Sequence, residues 1–182
     1  MNNFLYNLFF SLLMVLIQIS FLTTWPVPIS SLNIIFCLII FLTVIFSYEK
    51  GLVFAMLTGL LLELYSALPF GQTTLSLLLS VVTINFLYNN FFTNRSLYSL
   101  AILGFIGTII HNLILLFLSA IFVIFGFKFS FAIYDFKLLY LWEPLMNVLI
   151  LMIVFFTYFI SSGRLKNYFL FPADSYEKRN RG

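Results

Sequence analysis

Four ionisable side chains stand inside long apolar runs of this 182-residue sequence, and their types could support chemistry: Glu63, His111, Glu143 and Cys37. A carboxylate or imidazole in apolar surroundings is either hydrogen-bonded in a neutral network or used to bind a ligand or move a proton. A lone histidine and a lone cysteine cannot hold a metal ion. The chemistry open to these residues is therefore proton or ligand handling.

For Glu63 and His111 we expect structural roles. Glu63 precedes the helix break at Pro69, where a polar cavity or lipid headgroups could solvate it, and no second acid lies in the neighbouring runs. A proton or ligand site is its alternative. His111 follows Gly107 by one helical turn, which gives a neighbouring helix room to approach, so we expect a neutral histidine hydrogen-bonded between helices. A contact between Glu63 and His111 stays open.

Other polar residues in the apolar runs form two stripes at helical spacing. The first stripe is Asn7, Ser11 and Gln18, and the second is Thr73, Ser76, Ser80 and Thr83. Stripes of this kind usually let helices pack closely or bond one another, and neither contains an ionisable group. We therefore expect these residues, with His111, Asn112 and Glu143, to lie at helix interfaces and not along a substrate path.

Catalytic chemistry finds little support in the remaining residues. The segment Trp142-Glu143-Pro144 is predicted to open the last helix, with Pro144 in its first turn and Glu143 at the positive end of its dipole. The sequence contains no GxSxG, HExxH or P-loop pattern, and its two aspartates, Asp135 and Asp174, are far apart. We expect no catalytic, cofactor-binding or metal-binding residues, and no enzyme activity.

The composition requires a solvent other than water for most of the surface. Hydrophobic residues make up 63% of the chain and charged residues 8%, and the 25 phenylalanines outnumber all charged side chains. With a mean hydropathy of +1.11, this is a membrane protein. Five of the nine basic residues fall between Arg164 and Arg181, so the net charge of +3 arises from the C-terminal segment. This distribution does not indicate nucleic-acid binding.

We predict an all-α bundle of six transmembrane helices in residues 1–162 and a short basic cytoplasmic tail in residues 163–182. The spans are predicted near 4–22, 29–47, 51–67, 72–92, 97–125 and 139–161. The first lacks the basic start and cleavage site of a signal peptide, so we expect it to be retained. The third is short and is broken by Pro69 and Gly71.

The distribution of basic residues predicts that both termini are cytoplasmic. Six spans place seven basic residues inside and leave Lys128 and Lys137 outside, as the positive-inside rule favours. Five spans, with the third apolar segment as a re-entrant loop, would give six against three. The loop between the last two spans, Lys128 to Lys137, could contact a partner, or its Tyr134 and nearby Tyr140 could anchor the membrane interface.

The run from Gly59 to Gly71, GLLLELYSALPFG, resembles the signature of the rod shape-determining protein MreD family. That signature reads glycine, three apolar residues, an acid and a break containing serine, proline and glycine, which Gly59, Glu63, Ser66, Pro69 and Gly71 match. Glu63 stands where aspartate is usual, and Ala67 where glycine is common. Elsewhere the similarity extends over nearly the whole chain, but in hydropathy more than in identity.

The resemblance implies a non-enzymatic component of the cell-wall elongation machinery in the bacterial cytoplasmic membrane. Such a protein binds MreC and, directly or through it, influences the glycosyltransferase and the class B penicillin-binding transpeptidase of the rod complex. It thereby regulates lateral peptidoglycan synthesis and cell shape. The alternative is the substrate-binding subunit of an energy-coupling-factor vitamin transporter, which also has six spans. Such subunits carry paired small residues in their first span, where this sequence offers Ser11 among Leu and Phe.

Overall fold

The computed structural model describes residues 2–22, 24–66, 68–92, 97–125 and 133–161, and these residues form helices without any strand. The six α-helices are α1 (Asn2–Ile17), α2 (Ile34–Phe41), α3 (Tyr48–Glu63), α4 (Gln72–Phe91), α5 (Leu97–Ile124) and α6 (Ile133–Ser161). A π-helical turn extends α1 through Gln18–Leu22, another extends α2 through Leu42–Phe46, and a 3-10 turn, Ile29–Ser31, precedes α2. The chain is thus all-α over its described part.

Helix α2 is the centre of the bundle. Most of its side chains are buried, with Ile35, Phe36, Ile39 and Ile40 fully enclosed. It contacts α1, α3, α4, α5 and α6, so its apolar surface faces protein on nearly every side. Its first turn is capped by Asn33, whose side chain accepts a hydrogen bond from the Phe36 N–H.

Consecutive helices are antiparallel neighbours, as short connections require. The closest pairs are α3 with α4, α4 with α5 and α5 with α6, while α1 packs beside α3. We call the end where α1, α3 and α5 begin the first end of the bundle, and the end where α2, α4 and α6 begin the second end. Polar residues of α3, α4, α5 and α6 come together towards the second end.

Four helical segments are long and apolar enough to cross a membrane: Leu5–Leu22, Gln72–Phe91, Leu97–Ile124 and Trp142–Ile160. Many of their large apolar side chains face outward, among them Phe9, Phe86, Phe117 and Ile153. A water-soluble protein does not expose apolar surface on this scale, whereas lipid solvates it without cost. The fold is that of a helical membrane protein.

The prediction for the start of the last helix was wrong. Helix α6 begins at Ile133, so Pro144 lies inside it and Glu143 is no first-turn acid. Proline lacks the N–H that would bond the carbonyl four residues earlier, which is why the sequence indicated a helix start there. Membrane helices tolerate such prolines where neighbouring groups satisfy the freed carbonyl.

The boundaries of the third helix also differ from the prediction. It begins at Tyr48 and ends at Glu63, whereas the sequence suggested 51–67. The Ser47 side chain accepts a hydrogen bond from the Lys50 N–H and thereby caps the helix, which is why the helix starts at Tyr48. Ala67, Arg95, Lys128 and the basic segment 163–182 lie outside the described residues, as do the side chains of Tyr134, Lys137 and Tyr140.

Candidate functional site

The turn between α3 and α4 joins the two helices through a carboxylate. Oε1 of Glu63, at the last residue of α3, accepts a hydrogen bond of 2.8 Å from the Thr74 N–H in the first turn of α4. The residue in the N-cap position of α4 is Gly71, which has no side chain to do this. Glu63 therefore supplies the cap from a neighbouring helix and places its charge at the positive end of the α4 dipole.

Two glycines allow this geometry. A Cβ on Gly59 would lie 2.8 Å from the Thr74 Cα, so the backbones of α3 and α4 approach too closely for any larger residue. Gly71 has φ +94°, in the left-handed region that favours glycine, and no atom lies within 4 Å of a Cβ placed there. Gly59 is therefore needed because the helices approach closely, and Gly71 because of its backbone conformation.

The other two residues of the signature shape the turn itself. The Ser66 Oγ accepts from the Leu68 N–H at 3.1 Å, and the Pro69 carbonyl accepts from the Gln72 N–H at 3.1 Å. All five residues that carry the resemblance thus lie in one unit, which we call the α3–α4 joint (residues 59–74, of which Ala67 is outside the description). The spacing of the signature is the spacing that this joint needs.

Several buried polar atoms of the joint have no hydrogen-bond partner among the described residues. They are Glu63 Oε2, Gln72 Oε1, Thr73 Oγ1 and Thr74 Oγ1. Glu63 is only 7% exposed and Gln72 1%. Gln72 also ties the joint to α5, because its Nε2 donates to the Ser119 Oγ at 2.6 Å. All four of these oxygen atoms can accept a hydrogen bond, so the joint can accept further hydrogen bonds from donors that are not among the described residues.

His111 of α5 is bonded to α4. Its Nδ1 lies 3.0 Å from the Ser80 Oγ, and its ring stacks on Phe36 of α2 with centroids 4.5 Å apart. The single hydroxyl hydrogen of Ser80 is directed to the Ser76 carbonyl at 2.6 Å. The Ser80 hydroxyl and the His111 ring thus form a hydrogen-bonded link between α4 and α5, whose donor depends on the imidazole tautomer. The open contact between Glu63 and His111 is not formed, since each has a different partner.

A ladder of polar pairs joins α5 and α6. Asn112 Nδ2 donates to Glu143 Oε2 at 2.8 Å, and one turn along, Asn147 Nδ2 donates to Thr108 Oγ1 at 3.2 Å. The start of α2 joins the network, because the Asn33 N–H donates to Asn147 Oδ1 at 2.9 Å. Glu143 is thus a half-buried residue at the α5–α6 interface and does not cap α6.

The remaining polar residues of the predicted stripes behave differently from one another. Gln18 bridges to the start of α2, donating to the Leu32 carbonyl at 2.7 Å and accepting from the Ile34 N–H at 2.9 Å. Ser11 is buried and its hydroxyl has no partner among the described residues. Asn7 is exposed, and its place at a helix interface stays a prediction.

Ser76 and Thr83 turn their hydroxyls to their own helix. Ser76 bonds the Thr73 carbonyl at 2.8 Å and Thr83 the Ser80 carbonyl at 2.9 Å. This lets a hydroxyl be buried without a partner on another helix, and it leaves a small side chain at the helix surface. Their contribution is close packing and not a bond across the interface.

Sequence reasoning missed Asn33, Thr108 and Asn147 as members of the polar core. The signal available was the four-residue spacing of Thr108 with Asn112 and of Glu143 with Asn147, which puts each pair on one face of its helix. Two such pairs on consecutive antiparallel helices predict a ladder. This ladder was not recognised because the last helix was predicted to open at Trp142, with Glu143 as a first-turn acid.

The contacts seen within this polar core are hydrogen bonds. Among the residues that the structure describes, no three His, Cys, Asp or Glu side chains come together to hold a metal ion. Cys37 is buried and free, and its Sγ lies 3.4 Å from the Asn147 carbonyl. No family model, curated protein or solved structure matches this chain.

The joint also presents an apolar surface. Around the polar turn, Leu64, Tyr65, Leu68 and Phe70 are exposed, and we call these four residues the joint surface. Tyr65 is 64% and Phe70 73% exposed. An outward cluster of two aromatic and two aliphatic side chains can contact lipid or another protein.

Proposed function

We propose that this chain is a non-enzymatic, MreD-like component of the bacterial cell-wall elongation machinery, which binds MreC and helps regulate lateral peptidoglycan synthesis and rod shape. The observation that carries the proposal is the joint. Gly59, Glu63, Ser66, Pro69 and Gly71 each have a stereochemical task there. These local contacts give structural roles to the residues that carry the resemblance, and this is the support for the proposal.

In this proposal the bundle crosses the bacterial cytoplasmic membrane six times, with both termini in the cytoplasm. The first end of the bundle then faces the cytoplasm and carries Lys50, and the joint faces outward. Helix α3 has 16 residues and is about 24 Å long, shorter than a hydrocarbon core of about 30 Å. A short third span keeps the joint surface near the level of the membrane interface.

The joint surface is the proposed contact for MreC. MreC is expected to cross the same membrane and project outward, so its span and the residues that follow would pass the outer ends of α3 and α4. The aromatic pair Tyr65 and Phe70 offers the exposed contact area, while the capped turn beneath holds it in one conformation. The chain would contact the glycosyltransferase and the transpeptidase of the rod complex either directly or through MreC.

Co-purification tests the proposal. The chain is co-expressed with MreC of its own species, solubilised in mild detergent and isolated by a tag on the chain. The unaltered pair should co-purify, and the double variant Tyr65→Ala/Phe70→Ala should lose most of the MreC. A matched control, Phe86→Ala/Phe117→Ala, removes two equally exposed rings elsewhere and should retain it. Failure of the unaltered pair to co-purify would remove the main support.

The role of the Glu63 charge is tested in the same assay. We expect Glu63→Gln to keep the complex, because the amide oxygen can still accept the Thr74 N–H. Loss of MreC from a correctly folded Glu63→Gln protein would show that the partner needs the charge. Native mass spectrometry of the purified chain addresses the transporter alternative, since a retained vitamin would favour a substrate-binding subunit instead.

A further inference from the structure

A cavity of about 380 Å³ opens at the first end of the bundle, between α1 and the hairpin of α2 and α3. Its lining is Tyr6, Asn7, Phe10, Leu42, Lys50 and Phe54. The volume falls within the range of sites that bind small molecules. None of these residues takes part in the joint or the polar ladder.

The lining changes from polar to apolar along the bundle. Tyr6 and Phe10 are one turn apart on α1, and Lys50 and Phe54 are one turn apart on α3, with both helices running away from the first end. Tyr6, Asn7 and Lys50 therefore form the rim, and Phe10 and Phe54, whose ring centroids are 5.8 Å apart, lie deeper. A ligand that fits has a polar group at the end of the bundle and an apolar part towards its middle.

The charge at the rim is positive. The Lys50 ammonium lies 4.8 Å from the centroid of the Phe46 ring, and no carboxylate among the described residues forms an ion pair with it. Glu49 is its neighbour in sequence, and adjacent residues of a helix do not face each other. The rim therefore attracts an anion, with hydroxyl and amide donors of Tyr6 and Asn7 beside it.

We propose that this cavity binds an anionic glycerophospholipid from the leaflet at the first end of the bundle. The phosphate of the headgroup lies at Lys50 and Asn7, and an acyl chain enters between Phe10, Leu42 and Phe54. A free phosphate would leave the apolar part of the cavity unused, and a zwitterionic lipid would not compensate Lys50. The inference does not depend on the proposed partner MreC.

Native mass spectrometry of the full chain, released from mixed micelles of detergent and lipid, tests the site. The probes are phosphatidylglycerol and phosphatidylcholine with identical acyl chains. One phosphatidylglycerol should be retained per chain. Its retention should exceed that of phosphatidylcholine about fivefold, because one lysine near the membrane surface favours an anionic lipid by this factor. Lys50→Gln should abolish this preference and Lys50→Arg should keep it. Lys137→Gln, which removes a lysine distant in sequence from the cavity, is the matched control and should also keep it.

Two outcomes would overturn the proposal. One is an unchanged preference in Lys50→Gln, and the other is displacement of phosphatidylglycerol by millimolar glycerol phosphate, which would indicate a site for soluble anions. Phosphatidylglycerol with a photoreactive group on its acyl chain gives an independent readout without any variant. It should label Phe10, Leu42 or Phe54, whereas labelling confined to other residues would count against the site.

Discussion

Glu63 closes α3 and caps α4 with the same carboxylate, through the 2.8 Å bond that its Oε1 accepts from the Thr74 N–H. An acid at the end of its own helix is disfavoured by the helix dipole, whereas the same charge at the start of the next helix is favoured. The antiparallel approach at Gly59 brings the two positions together. The hydrogen bond gives this acid a capping role in the α3–α4 joint.

The first prediction concerns the strength of this cap. Replacing Glu63 by Ala leaves the buried Thr74 N–H without an acceptor, so the free energy of unfolding should fall by about 1–2 kcal/mol. Glu63→Gln keeps an acceptor oxygen and should lower it by less than about 1 kcal/mol. Unfolding by SDS in mixed micelles, followed by circular dichroism, measures both. Glu49 is exposed, so the control variant Glu49→Ala should lower the free energy of unfolding by only about 0.5 kcal/mol. Equal losses for the Gln and Ala variants would contradict the capping role.

The second prediction concerns the close approach of α3 and α4. A methyl group at Gly59 meets the Thr74 backbone at 2.8 Å, so Gly59→Ala should destabilise the bundle by about 1–3 kcal/mol despite the better helix propensity of alanine. The nearest atoms to a Cβ on Gly107 are side-chain carbons of Ile84 and Ile40 at 3.5 and 3.6 Å, an ordinary contact distance. Gly107→Ala should therefore leave stability unchanged or raise it. The same unfolding titration compares the two, and a neutral Gly59→Ala would refute the close packing.

The third prediction separates backbone conformation from space at Gly71. Because nothing lies within 4 Å of a Cβ there, any cost of substitution comes from its φ of +94°. Gly71→Ala should cost about 1–2 kcal/mol, and Gly71→Asn less, since asparagine tolerates the left-handed region better. Thermal unfolding of the three proteins in one detergent ranks them. If Ala and Asn were equally tolerated, the turn would have to relax to a negative φ.

The general fold could be predicted from the sequence because hydropathy determines which residues face lipid. Six membrane spans were predicted. The described residues form six α-helices, and four helical segments are long and apolar enough to cross a membrane. The break after α3 was also visible, because Pro69 and Gly71 together cannot continue a helix. These features depend on local composition, which a single sequence contains.

The polar core could not be predicted to the same extent, since it depends on which helix faces overlap. Pro144 suggested a helix start, but α6 begins eleven residues earlier, and Glu143 consequently faces Asn112 across the α5–α6 interface. Asn33 was overlooked because it precedes its helix and bonds through both its backbone and its side chain. Such contacts follow from tertiary packing, which periodicity does not specify.

The last prediction tests whether Asn112 and Glu143 act as a pair. Asn112→Ala removes the donor of this hydrogen bond and leaves the half-buried Glu143 carboxyl without it, whereas Glu143→Ala removes the acceptor. A double-mutant cycle with both changes isolates their interaction, which should be favourable by about 0.6–2 kcal/mol, the range for hydrogen bonds between membrane helices. Thr157→Ala, which removes a hydroxyl bonded only within α6, serves as the uncoupled partner in a control cycle with Asn112→Ala. That cycle should give a value near zero, and if the Asn112–Glu143 cycle did the same, the ladder would not join α5 to α6 energetically.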